Sequence, residues 1–455
     1  MLSDILNAIV VASGRPFEVG GCVRDRLLGM ASKDIDIEVF DIPSERLISV
    51  LSGFGKVDCV GVSFGVIKLS TSDGMEYDFT LPRRESKSGR GHRGFDVEVD
   101  HCMSIEEAAI RRDFTINAIY RCPLTDQVLD PFDGVKHLHD KTLHCTSEHF
   151  AEDPLRVLRG MQFAARFGLV ATETTLSMSR DLLVEASELA LDRIWIEWKK
   201  WALRGRKPSL GLTFLRDSQW LSLYPELQSL IGVEQDRQWH PEGDVWTHTL
   251  HVCDAAEEVA TREQLADQDR IVLLLAALCH DFGKATHTTF ENGRWHAYGH
   301  EAGGIAPTLA FLDRIGCPNA ICGSVVPLVA NHLAHAVDHV SRRLVRRLAM
   351  RLAPASMKLL VLLIESDVSG RPPLPKRLPE NASKILELAS NMKIDCEAPS
   401  PIILGRHLIA LGHEPAPWFG VVLQQCFEAQ LDGKFETIEE GVLFLQEVLN
   451  STNCD

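Results

Sequence analysis

The chain has 455 residues, 45% of them hydrophobic, so it can fill more than one core, and about two to four domains are expected. No apolar run approaches the roughly 18 residues of a membrane span, and no charged leader precedes a long apolar stretch, so neither a span nor a signal peptide is expected. A formal charge of −16 argues against indiscriminate coating of nucleic acid and leaves room for a local basic groove.

In chain order, Phe17-Glu18-Val19-Gly20-Gly21-Cys22-Val23-Arg24-Asp25 predicts a strand, a glycine turn and a helix over 23–28 that stops at Leu28-Gly29. Gly20 and Gly21 allow close backbone approach to a phosphate, and the helix amides after them suit an anion. In Lys33-Asp34-Ile35-Asp36-Ile37 two carboxylates at i and i+2 share one face of a strand. Such a pair can hold two divalent ions on a nucleoside triphosphate, so the combination suggests nucleotidyl transfer. An isolated Asp-x-Asp is more often a solvated strand edge; the preceding glycine turn is what raises it.

Residues 57–80 alternate as strands and end at Glu76-Tyr77-Asp78-Phe79-Thr80, with Asp78 a candidate third acid or a plain surface acid. From 83 to 94 the texture becomes basic, glycine-rich and aperiodic. Arg83, Arg84, Lys87, Arg90 and Arg93 there are expected on a mobile loop that meets phosphate. The segment 106–118 is expected as a helix ending in Arg111, Arg112, Asp113 and Asn117, groups suited to triphosphate and ribose or to a salt-bridged face. Asp130-Pro131-Phe132-Asp133-Gly134 is a tight turn. Glu152-Asp153-Pro154-Leu155-Arg156 opens a helix on which Asp153 and Arg156 face the same way, either as a base-reading pair or as a simple ion pair.

Taken together, Gly-Gly-x-Val-Arg-Asp, Asp-x-Asp, Arg-Arg-Asp-Phe-Thr-x-Asn-Ala, Asp-Pro-Phe-Asp-Gly and Glu-Asp-Pro-Leu-Arg resemble, in this order, the class II tRNA nucleotidyltransferases (CCA-adding enzymes) and their bacterial poly(A) polymerase relatives. The resemblance spans 17 to about 235. It implies that Asp34 and Asp36 are catalytic and hold magnesium. It also implies that Gly20, Gly21, Arg24, Arg111, Arg112, Asp113, Asn117 and Arg159 serve the nucleotide, and that Asp153 and Arg156 select C or A. The basic loop would help to switch specificity, with ATP, CTP and tRNA as substrates.

Downstream, Trp239 to His248 leads into a helical run. Leu273–Leu278, all Leu or Ala, is followed by Cys279-His280-Asp281-Phe282-Gly283-Lys284. His248, His280, Asp281, His300, His332 and Asp367 offer imidazole and carboxylate ligands for a divalent transition metal such as Ni2+, Mn2+ or Zn2+. This pattern resembles the HD phosphohydrolase superfamily and implies a helical metal-dependent phosphatase or phosphodiesterase. Its phosphoester, for example a 2′,3′-cyclic phosphate or 2′-phosphate at a damaged RNA end, rests on fold analogy.

The fold class expected is an α/β nucleotidyltransferase head, a mixed sheet with helices, over 1–138. All-α regions follow: a neck over 139–235, an HD domain over 236–370 and a tail over 371–455. Trp195, Trp198 and Trp201 suit a helix core better than RNA stacking. The arginines of 342–351 form one helical stripe, able to track phosphates or to stay solvated. Twelve cysteines without a CxxC pair are expected as free thiols in a cytoplasmic protein. Two alternatives stay open: a poly(A) polymerase or A-adding enzyme, and an HD phosphohydrolase whose transferase-like half senses nucleotides. The sequence leaves the oligomeric state undetermined.

Overall fold

Alternating strands build the head around β1 (Arg15–Val19) and β2 (Asp36–Phe40). In the computed structural model, which describes residues 1–31, 35–58, 66–87 and 95–452, these strands are followed by β3 (Gly55–Asp58), β4 (Val66–Thr71), β5 (Glu76–Thr80), β6 (Arg83–Lys87), β7 (Phe95–Val99), β8 (Tyr120–Arg121) and β9 (Val128–Leu129). Seven of them make one sheet in the order β3-β4-β5-β2-β1-β8-β9. Its pairings are antiparallel except β2 with β5, where Asp36 lies opposite Asp78.

Side-chain alternation divides the sheet's faces. Ile37, Val39, Ile67, Leu69 and Phe79 are buried beneath helices Leu2–Val11 and Ser44–Leu51. On the other face Phe17, Val19, Phe40 and Tyr120 pack with helix Ile105–Ala109. Asp36 shares that face with Phe40, so the candidate acid emerges beside Ile105–Ala109.

Two sequence expectations are corrected here. The stretch 83–94 does not begin as a loop: β6 pairs with β7 in a separate antiparallel hairpin, Arg83 opposite Val99 and Lys87 opposite Phe95. Cross-strand hydrogen bonds order a segment whose own composition carries no strand period. Arg90 and Arg93 lie outside the described residues, as does Asp34. The helix expected over 106–118 ends at Ala109, after a capping box between Ser104 and Glu107. Beyond it Thr115 N–H donates to the His144 carbonyl and Phe114 bridges Cys145, drawing the chain out of the helix into a short 3-10 turn, Thr115–Asn117.

The head continues into helices Leu155–Phe167, Leu191–Arg204 and Pro208–Asp217. A side chain at Gly160 would meet the Phe214 ring at 2.8 Å, so glycine permits the close helix contact there. Trp198 and Trp201 are fully buried, edge to face at 5.4 Å, with Trp201 Nε1 donating to the Pro208 carbonyl. These two are core residues, as their spacing suggests, while Trp195, expected with them, is half-buried.

By internal contacts the chain forms two units, Met1–Leu223 and Tyr224–Asp455. In the second, helix Asp267–Cys279 is buried from Ile271 onward and packs among helices Val245–Arg262, Asn319–Asn331 and Met357–Ser369. A small hairpin, Thr289–Glu291 with Arg294–His296, buries none of its residues. Four C-terminal helices, Glu380–Asn391, Gly405–Ala410, Trp418–Leu431 and Ile438–Thr452, complete the chain. They account for the arginine stripe of helix Arg342–Leu352: Arg343 and Arg347 pair with Asp432 at 2.9 and 2.6 Å, Arg347 also with Glu428, and Arg346 with Glu436. These guanidiniums neutralise the tail rather than standing free for phosphate. Among the described residues no helix is long and apolar enough to cross a membrane, and the ten described cysteines are free thiols.

Candidate active sites

One cavity of about 310 Å³ in the first unit is lined by Asp36, Glu38, Arg83, Arg111, Arg112 and Arg156, among others. Asp36 is exposed at the start of β2. Its in-register neighbour Asp78 leaves the same face of the parallel pair and lies 3.6 Å from Lys68 Nζ. Gly20, at φ +76°, begins helix Gly21–Leu27, and a Cβ there would come 3.4 Å from the Arg112 guanidinium. The glycine therefore keeps room beside that guanidinium.

The arginines are aimed by partners distant in sequence. Arg112 donates to Glu38 Oε2 at 2.9 Å, and Tyr120 OH donates to the same oxygen at 2.9 Å. Burial works against the Arg112 charge, but Tyr120 and Glu38 outweigh it and raise its pKa. Arg111 pairs with Glu152 at 3.2 Å. Arg156 is held by the carbonyls of His149 (2.5 Å) and Arg111 (2.9 Å).

Four other expected nucleotide residues form a linked, mostly buried group that is not part of the cavity lining. Arg159 Nε donates to Asp113 at 2.7 Å and Asn117 Nδ2 donates to Asp113 at 2.9 Å, while Arg24 donates to Asn117 Oδ1 at 2.5 Å. Burial alone would raise the Asp113 pKa; the Arg159 charge and these hydrogen bonds hold it below the usual carboxylate range. Arg24 also binds Asp25 and lies over the Phe167 ring at 4.4 Å, a buried packing position. Asp153 is not on the helix with Arg156. It is extended, since a residue preceding proline disfavours the helical conformation, and the helix starts at Leu155. Its carboxylate accepts from Leu155 N–H and pairs with Arg193 at 2.7 Å. Sequence reasoning passed over Glu38, Tyr120, Glu152 and Arg193. Only Glu38 carried a signal, through its shared strand parity with Asp36.

All six expected metal ligands converge from five helical segments: Asp281, His300, His332 and Asp367 line a cavity of the second unit, and His248 and His280 lie fully buried behind it. His248 Nε2 lies 3.1 Å from Asp367 Oδ1 and 3.4 Å from His280 Nε2. Asp281 reaches both ways, with Oδ2 3.2 Å from His280 Nε2 and Oδ1 3.2 Å from His300 Nε2. His300 and His332 face each other at 3.2 Å through Nε2. Two ligand sets result, His248-His280-Asp367 and Asp281-His300-His332, each with its ligand atoms within 4.8 Å.

Protonation follows from the backbone. His280, His300 and His332 each set Nδ1 against the carbonyl three residues earlier, at 2.8, 2.6 and 2.7 Å. Nδ1 therefore carries a proton, and on the neutral ring Nε2 turns its lone pair inward. With their Nδ1 atoms set on backbone carbonyls, His300 and His332 converge through Nε2 with Asp281 on one point, a donor set suited to a cation. Burial lowers the His332 pKa to about 3, so its lone pair is available at neutral pH. Despite burial, Asp281 is held well below the normal range by His280 and Lys284, and Asp367 by Arg371 and His248.

Several second-rank groups escaped sequence reading. Glu242 Oε1 lies 2.8 Å from His248 Nδ1 and 2.9 Å from His240 Nδ1, orienting the ligand imidazole. Lys284 Nζ lies 2.7 Å from Asp281 and donates to Gln235, and Arg371 donates to Asp367 at 2.6 Å. The residues 239–242, Trp-His-Pro-Glu, just before His248, were the available signal. Arg371 carried no signal in the sequence beyond the run Pro372-Pro373-Leu374-Pro375 that follows it.

Sequence comparison matches residues 17–144 to the poly A polymerase head domain and 245–362 to the HD domain. A multifunctional CCA protein from Xanthomonas oryzae pv. oryzae (strain MAFF 311018) is 36% identical over 364 residues, 78% of this chain and 84% of the relative. Among solved structures, the Bacillus stearothermophilus CCA-adding enzyme in complex with CTP aligns with a TM-score of 0.65 at 19% identity, covering 99% of this chain and 98% of that one. The Thermotoga maritima CCA-adding enzyme complexed with tRNA-CCA gives 0.60 at 18%, covering 98% and 94%. At these identities the structures establish the fold, and the 36% relative establishes descent: the chain belongs to the multifunctional CCA protein family, whose members join a nucleotidyltransferase head to an HD domain.

Proposed function

We propose that the first-unit cavity adds C, C and A to the 3′ end of tRNA from CTP and ATP without a nucleic-acid template, and that the HD cavity hydrolyses a phosphoester. The observation that carries the first reading is the convergence of Arg111, Arg112 and Arg156 with Asp36 in one cavity. The 3′-hydroxyl of tRNA attacks the α-phosphorus in line, forming its bond as the bond to pyrophosphate breaks. Arg111 and Arg112 carry the growing negative charge of the leaving pyrophosphate, in orientations already set by Glu152 and Glu38. Asp36, with Asp34, would hold magnesium, which supplies Lewis-acid stabilisation of the triphosphate when bound; Asp78 is placed to join them. Arg24, Asp113, Asn117 and Arg159 hold the floor under the nucleotide. Arg156 and Asp153, each fixed by partners outside the pair, present the donor and acceptor that read the base.

Arg83 reaches the cavity itself, while Arg84 pairs with Asp100 at 2.9 Å; with Lys87, Arg90 and Arg93 they are proposed to meet RNA phosphate. In the HD cavity the two ligand sets joined by Asp281 suit divalent ions such as Ni2+, Mn2+ or Zn2+. Lys284 and Arg371 stand where a substrate phosphate would need cations. The finer division at 138, 235 and 370 assigns head, neck, HD and tail roles, and the free thiols accord with a cytoplasmic setting.

Purified protein with magnesium, a tRNA lacking CCA, and CTP, ATP or both tests the reading at single-nucleotide resolution. Two C residues with CTP, and a terminal A only when both are supplied, are expected. Long A tails, or no response to CTP, would replace it with the poly(A) polymerase or A-adding alternative.

A further inference from the structure

The HD cavity, about 300 Å³, is acidic and imidazole-lined at its base but aromatic at its mouth, where Trp239, Trp295, His296 and Tyr298 line it. Trp239 is 57% and Tyr298 77% exposed. Large aromatics this open to water contribute little to the fold. Trp295 and His296 belong to the hairpin that buries none of its residues, with Phe290 tilted on Trp295 at 5.0 Å. His296 and Tyr298 are stacked, ring planes within 11° at 5.1 Å, a flat surface preformed before any ligand arrives. The Phe290–Trp295 pair is a cross-strand contact within the hairpin, whereas the exposed Trp239 and the His296–Tyr298 stack at the cavity mouth suit the face of a planar ligand.

Toward the base stands Arg371, half-buried, with one nitrogen on Asp367 and its Nε without a hydrogen-bond partner. The cavity therefore offers a phosphate-binding end at the metal ligands and a stacking end at the rim, within the size of one nucleotide. We propose that the HD site contains a nucleobase subsite formed by Trp239 on one wall and the His296–Tyr298 stack on the hairpin wall, with Arg371 taking a phosphate oxygen. What these aromatics add is selectivity: a phosphoester that carries a base is held at both ends of the cavity, and a base-less phosphomonoester only at the metal-ligand end. This rests on the phosphohydrolase reading of the cavity and adds to it the residues that choose the substrate.

The test uses the full-length, Zn2+-loaded protein and two probes, adenosine 2′-monophosphate and glycerol 2-phosphate. In the binding arm, the nucleotide is expected to quench tryptophan fluorescence saturably. That component comes from Trp239 and is therefore absent from Trp239→Leu; Tyr298→Leu is expected to raise the nucleotide concentration needed for it roughly 10-fold or more while Tyr298→Phe leaves it unchanged, and glycerol 2-phosphate does not produce it. In the kinetic arm, with Mn2+, Trp239→Leu and Tyr298→Leu are each expected to reduce the kcat/KM preference for the nucleotide roughly 10- to 100-fold, mainly through KM. Quenching unchanged by Trp239→Leu, or equal hydrolysis of both probes, overturns the subsite. If neither probe is hydrolysed the phosphohydrolase reading fails, and the fluorescence arm still decides whether a base is bound. Both aromatics are exposed, so loss of folding is not expected, and thermal melting verifies this.

Discussion

In the HD cavity three of the four ligand imidazoles are aimed by their own helix turns, each Nδ1 on the carbonyl three residues back. In the transferase cavity the guanidiniums are aimed by carboxylates far away in the chain, Glu38 at 74 positions from Arg112 and Glu152 at 41 from Arg111. The first arrangement fixes ligand atoms rigidly, as suits a metal centre. The second, on the proposed reading, holds guanidiniums in place before a nucleotide enters, as suits recognition of a phosphate chain.

The largest test of this contrast is a pair of variants. Asp36→Asn is expected to lower nucleotide addition by about 10³-fold or more while leaving phosphohydrolysis intact, and Asp281→Asn to do the reverse, with both activities assayed on each protein. Joint loss in either variant would mean that the two sites do not act separately.

A smaller effect separates the units by pH. In metal-free protein, His240 and His332 titrate from 6.5 when unfolded to about 4 and about 3 when folded, chiefly through burial. The unfolded chain then binds more protons between those values, so the second unit loses stability as pH falls below about 6.5. His280, raised by Asp281 against the pull of burial, is protonated in both states below about 6.5 and adds nothing there, so the two lowered histidines give a limiting slope of roughly 2.7 kcal/mol per pH unit. Denaturant unfolding between pH 7 and 5 measures it. No imidazole lines the transferase cavity among the described residues, and a first unit that loses as much stability would remove the contrast.

Smallest is Arg343→Ala. Its partner Asp432 is solvated, so no measurable change in Tm is expected, and tRNA affinity in a filter-binding titration should be unaltered because the guanidinium already serves the tail. A marked loss of affinity would return the stripe to RNA binding.

Much of this molecule was legible where chemistry is local. The Gly-Gly turn, the strand parity of Asp36 and the position of His280-Asp281 at the end of an apolar helix depend on neighbours within a turn or a strand, and the structure keeps them. Legibility failed where a distant partner decides. Residues 83–87 became a strand only because β7 pairs with it, the helix near Arg111 ended where His144 offered a carbonyl, and Asp153 left the helix at Pro154. The last of these was readable, since a residue before proline resists the helix whatever surrounds it.

By itself the sequence determined which chemical groups this protein owns and the order in which they occur, because helix and strand periods and glycine and proline geometry act over a few residues. Only the tertiary structure decided how those groups are paired: Glu38 with Arg112, Asp281 between two ligand sets, Arg371 on Asp367, and the arginine stripe on the tail. Charge interactions act through space, so the partner of an ion is fixed by which elements pack together.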